Sequence, residues 1–254
     1  MKSFFSFFIL FTVLGNMVAC SQTDDPAKTY FQVQFSEQVA QDAKSGRLLL
    51  MLSNDPEHEP RFQIQDGLST QLIFGIDVDN MKAGEPRGFN ADIFGYPLES
   101  LKDVPAGDYQ VQALLHIYET FTLASGHKVK LPMDNGEGQH WNKSPGNLYN
   151  KPTKIHFDPK AASPITLVMD QIIAPIKPPP DTPFVKHITM ESPLLTTFWG
   201  RPMHLGAHVL LPQGFDEHPD AHYPLVIMHG HYPHDFNGFR TTPPDASLPD
   251  EISP

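Results

Sequence analysis

His229-Gly230-His231 stands directly behind a run of four apolar residues, Leu225-Val226-Ile227-Met228. Such a run expects cover on both faces, as in a parallel-sheet strand. A glycine at its end permits a turn that aims a backbone N–H inward, and an N–H so placed would stabilise the oxyanion of an acyl-transfer step. That chemistry also needs a nucleophile. No Gly-x-Ser-x-Gly elbow occurs in the chain, and Ser125 and Ser144 both lie upstream of the loop rather than behind a later strand. The competing reading is a plain β-turn after a core strand, with His229 a structural loop residue rather than a general base. The 13 histidines raise a second kind of chemistry. Their densest group is His229-x-His231-x-x-His234-Asp235, but ligands from one short loop rarely close a tetrahedron around zinc. Asp134-Asn135-Gly136-Glu137-Gly138 and Asp77-Val78-Asp79-Asn80 offer oxygen ligands without EF-hand spacing, so a solvated loop is the default for both. No metal and no cofactor is expected.

The segment around the His-Gly pair carries a resemblance. Leu210-Leu211-Pro212-Gln213-Gly214-Phe215, a short polar stretch, and then Tyr223-Pro224-Leu225-Val226-Ile227-Met228-His229-Gly230 look like the opening of an α/β-hydrolase of the esterase D-like, feruloyl-esterase-like or enterochelin-esterase-like kind. The likeness covers about residues 204 to 233. It implies that the amide of His231 is the nearest oxyanion donor, with His229 and Gly230 shaping the loop. It also implies a small ester or carbohydrate ester as substrate, and a β-rich domain in front. A complete domain of that kind would need on the order of 150 residues more, so the resemblance makes residues 184–254 an N-terminal fragment that lacks its nucleophile. The chain would then be inactive alone.

A further resemblance lies at the start. Lys2 precedes the apolar stretch Phe4 to Leu14, which is short for a spanning helix. Met17-Val18-Ala19-Cys20 resembles the lipobox of bacterial lipoproteins. That likeness implies a signal peptide over residues 1–20, cleavage before Cys20 and a lipid on its sulfur. Residues 21–28 would be a tether, and Ser21 resembles the pattern that sends such proteins to the outer membrane. Cys20 is the only cysteine, so no disulfide can form within the chain. The lipid bilayer is thus one expected partner.

Composition limits the rest. Eighteen basic residues against 29 acidic ones give a formal charge of −11, with no basic stripe, which argues against a nucleic-acid partner. The 26 prolines and 17 glycines favour turns and edges over long helices. From Thr29 to Ala174 the hydrophobic period is mostly two. Tyr109, Val111, Ala113, Leu115 and Ile117 share one face of the best strand, with Gln110, Gln112 and His116 on the other. Similar strands are expected at 31–35, 47–52, 71–76, 154–157 and 165–169. The expected fold is mainly β: an immunoglobulin-like β-sandwich over 29–174, then the first strands of an incomplete α/β-hydrolase domain. Pro175 to Pro183 holds five prolines in nine residues and reads as the linker between them. The long loop from Pro132 to Pro152 is either a ligand surface, with Trp141 and Tyr149 at its centre, or a loop those two rings pin to the sheet. Two functions follow: the N-terminal portion of a membrane-anchored serine esterase, or a non-catalytic β-sandwich module for binding or scaffolding.

Overall fold

The computed structural model describes residues 28–123, 125–161 and 163–230, together with 236, 239, 241–243 and 247. The expected signal segment, Cys20 and the expected tether up to residue 27 therefore lie outside the described residues, as do His231, His234 and Asp235.

Fourteen strands and one α-helix make up the described elements. The strands are β1 (Thr29–Phe35), β2 (Lys44–Ser53), β3 (Leu72–Met81), β4 (Arg87–Asn90), β5 (Gly95–Tyr96), β6 (Gly107–Ile117) and β7 (Glu119–Thr122). They continue with β8 (Lys128–Leu131), β9 (Leu148–Tyr149), β10 (Thr153–Phe157), β11 (Ile165–Met169), β12 (Gln171–Ile172) and β13 (Val185–Glu191). Helix α1 (Pro193–Trp199) then precedes β14 (His204–Leu210). Strands hold 39% of the described residues and helical turns of all kinds 8%, so the protein is mainly β.

β1 is the centre of a three-stranded sheet, antiparallel to β4 and parallel to β11. The larger sheet runs β12-β9-β6-β2-β3-β5, with β10 also paired to β6. Period two fixes the inward face. Leu48, Leu50 and Leu52 of β2 stand opposite Leu115, Ala113 and Val111 of β6. All six are fully buried, as are Phe31, Val33 and Phe35 of β1. Both sheets contribute to this single hydrophobic cluster. Phe157 from β10 reaches across it, stacked 5.3 Å from the ring of Phe31.

Beyond the larger sheet, β7 and β8 form a hairpin, and β13 and β14 form another. The helix between β13 and β14 has the local signals a short helix needs. Ser192 caps it by accepting the amide of Leu195, Pro193 occupies its first turn, and Gly200 closes it in the left-handed region at φ 66°. The helix docks on the β7–β8 hairpin: Trp199 meets Phe121 edge-on at 5.5 Å, and Arg201 lies over the Phe121 ring while pairing with Glu119. Yet no residue from 171 to 230 is buried.

That finding corrects the expectation of an α/β-hydrolase start. Leu225, Val226, Ile227 and Met228 belong to no strand or helix and are 78–81% exposed, rather than covered on both faces of a parallel sheet. The single α-helix has seven residues and flanks no parallel sheet. Among the described residues no helix is long and apolar enough to cross a membrane.

Candidate functional site

The densest polar chemistry among the described residues lies on the outer face of the larger sheet, where β6 was expected to meet water. Gln112 points to that face, yet it is fully buried. A 3-10 turn at Pro60–Phe62 and the stretch from Trp141 to Lys151 lie over it. The Gln112 carboxamide oxygen accepts the Arg61 amide at 3.1 Å. Its Nε2 donates to Glu59 Oε2 at 2.9 Å and to the Asn150 carbonyl at 3.0 Å. Asn150 Oδ1 accepts the Ala113 amide at 2.6 Å, and Asn147 Oδ1 accepts the Ile117 amide at 2.9 Å. Two loop asparagines thus replace strand partners that β6 lacks along this edge. Asn147 Nδ2 donates to the Trp141 carbonyl at 2.9 Å, which ties the aromatic part of the loop to the same edge.

Arg61 is the hub. Its guanidinium donates to Glu59 at 2.9 Å and to the Asn142 carbonyl at 3.2 Å, and Asn142 donates back to the Arg61 carbonyl at 3.0 Å. The rings of Phe62 and Tyr149 flank it at 4.5 and 4.3 Å. No buried side-chain nitrogen or oxygen among the described residues lacks a hydrogen-bond partner. Such a satisfied network is rigid. Of the two readings of the long loop, the geometry matches the pinned one. Sequence reasoning missed Arg61, Gln112, Asn147 and Asn150. The available signal was two asparagines three residues apart beside a strand edge.

The carboxylates considered for calcium serve local structure. Asp134 Oδ1 accepts the amides of Gly136 and Gly138, and Glu137 accepts that of Asn135. Asp77 and Asp79 lie in β3 rather than in a loop, paired with Arg47 and Lys130. Among the described residues no group of three or more His, Cys, Asp and Glu could hold a metal ion.

The serine candidates remain apart from the His-Gly pair. Ser144 is buried. Ser125 Oγ lies 2.8 Å from His127 Nδ1, but both are exposed in the turn between β7 and β8, and no carboxylate bonds to His127. His229 and Gly230 are exposed, and neither bonds to a serine or a carboxylate among the described residues. Among the described residues no serine, histidine and carboxylate form a hydrogen-bonded series. With a mainly β fold and one short helix, this overturns the serine-esterase reading: neither the triad nor the layered sheet that would position it is present.

An open groove lies on the large sheet, between Pro56 and the strands β6 and β10, lined by Ser53, Asn54, Gln110 and Lys154. Asp108 and His156 face each other across it at 2.7 Å, with side chains 90% and 67% exposed. A hydrogen-bonded pair so open to water is a surface feature with little energy of its own. Compared with known protein families, curated proteins and solved structures, the chain has no match.

Proposed function

We propose that the chain is a non-catalytic β-sandwich module of immunoglobulin-like build, which serves binding or scaffolding. In this reading it is exported and held to a bacterial outer membrane through lipid on Cys20. The observation that carries the module reading is the closed network around Arg61 and Gln112. It fixes the long loop on the sheet and leaves no buried polar atom free for chemistry. Two sheets over one core, with β1 packed beside the late strand β11, fit a sandwich. The anchor rests on the lipobox resemblance of Met17-Val18-Ala19-Cys20.

Two measurements test the reading. A short-chain p-nitrophenyl ester assay should give no inhibitor-sensitive turnover above a heat-killed control. Turnover blocked by a serine-directed reagent, with the label on a serine of this chain, would refute the non-catalytic assignment. Intact-mass analysis of protein extracted from its host in detergent should find a chain beginning at a lipid-modified Cys20. An unmodified Cys20 would remove the anchor and leave the module.

A further inference from the structure

The segment from Tyr223 to Gly230 belongs to no sheet. Its four central residues are apolar on both faces and about four-fifths exposed. From Pro224 onward it makes no hydrogen bond or ring contact. Residues 221–230 contain no Asp, Glu, Lys or Arg, although the chain as a whole carries −11. Charge repulsion therefore does not protect this stretch from pairing, as it does on guarded edges.

A matching edge exists in the same chain. In the β13–β14 hairpin, His187 stands opposite His208, Thr189 opposite Gly206, and Val185 opposite Leu210. The amides of Val185 and His187 point away from β14, because they donate to Thr182 Oγ1 and Asp181 Oδ1 at 2.9 Å each. The outer edge of β13 is thereby capped by side chains in its first half. By the same alternation, the amides of Gly206, His208 and Leu210 point outward from β14, and none of them has a partner. One face of the hairpin is apolar and open, with Ile188 43%, Met190 56% and Leu205 49% exposed. An added strand would extend that face.

The connection disfavours addition within one chain. The 13 residues 211–223 fold on themselves. Phe215 donates to the Pro212 carbonyl, Glu217 to Gly214 and Ala221 to His218, and the Tyr223 ring packs 5.6 Å from Phe215. These turns shorten the reach of the connection between β14 and the apolar segment.

We propose that Tyr223–Gly230 is an exchanged strand, which adds to the free edge of β14 in a second copy of this chain and receives that copy's strand in return. The exchange is two-fold symmetric, so it closes at a dimer and leaves neither strand unpaired. The inference goes beyond the module reading. Its residues lie outside the β core, and its failure would leave that reading untouched.

The test uses the full chain with Cys20→Ser, which removes the only native thiol, purified in detergent. I227C chains are mixed with A207C chains and treated with a short bis-maleimide. Cross-linked mixed dimers are expected, and no such product when L68C replaces A207C. In sedimentation velocity the parent chain is expected to be a dimer, with I227D weakening association more than about tenfold. V226P keeps the apolar surface but removes a ladder amide, so it should weaken a paired strand and not mere hydrophobic adhesion. Both sites are exposed, and the melt of the β core reports whether each variant folds. A monomer at every concentration, the absence of a mixed I227C–A207C cross-link, or dimers unaffected by both I227D and V226P would each overturn the proposal.

Discussion

Asn150 shows how one side chain can stand in for a strand. Its Oδ1 accepts the amide of Ala113 in the fully buried middle of β6, while its own carbonyl receives Gln112. Asn150→Ala would leave the Ala113 N–H unpaired, a loss of about 1–3 kcal/mol. Gln110→Ala, two residues from Gln112 but half-exposed, should stay within about 0.5 kcal/mol. Urea midpoints compare the two, and equal effects would mean that the asparagine is not a structural partner. A second residue sets a pH dependence. Burial holds His116 below its ordinary value of 6.5, against a weaker opposing pull from Glu137. The fold thus prefers the neutral ring, while the unfolded chain takes up a proton below about pH 6.5. Stability should be full above that pH and decline as pH falls below it, until the folded His116 also protonates. His116→Gln should flatten melting temperatures between about pH 7.5 and 5. Three carboxylates outside the core act with the same sign only at lower pH. Asp79 is held low by its bond from Lys130, Glu85 by the Lys82 amide and Asp181 by the His187 amide. None of this polar framework was legible in the sequence, because Gln112 on an alternating strand reads the same whether it faces water or another amide.

At the scale of elements, alternation carried the long strands well. Val111 is fully buried opposite Leu52 and Thr153, whereas Gln110 lies on the other face, opposite Ser53 and Lys154. Val111→Asp should unfold the protein or cost more than about 4 kcal/mol, since it buries an unpaired charge. Gln110→Asp should be mild, with Lys154 directly across the strand. A thermal melt that moves equally for both would reverse the face assignment. The strands that the sequence concealed are the short ones. β5, β9 and β12 have two residues each, too few to show any period. β3 was legible only in part. Its run through Asp77, Val78 and Asp79 alternates out, in, out, but the acidic residues there drew attention as cation ligands. The apolar run at 225–228 misled in the opposite direction. Continuous hydrophobicity states what cover a segment needs, and not which sheet will supply it.

For the whole molecule, burial divides the chain sharply. The core cluster ends with Met169, and everything from 171 to 230 is at least partly exposed. Limited proteolysis should therefore cut first within residues 211–230 and spare the unit from Thr29 to Met169. Early cuts within β2 or β6 would contradict that division. The mainly β class could be read from period two and from the turn-rich composition. The esterase likeness could not be checked by such means, because it rested on about 30 residues whose setting only the fold reveals. The parallel pairing of β1 with β11 has a mechanical consequence. Five successive positions match, from Phe31 against Ile165 to Phe35 against Met169. Tension applied through the chain before Thr29 and after Met169 pulls these two strands along their length in opposite directions. Their hydrogen bonds then share the load and must rupture together rather than open one by one, so the unit resists stretching along the line between its Thr29 and Met169 ends.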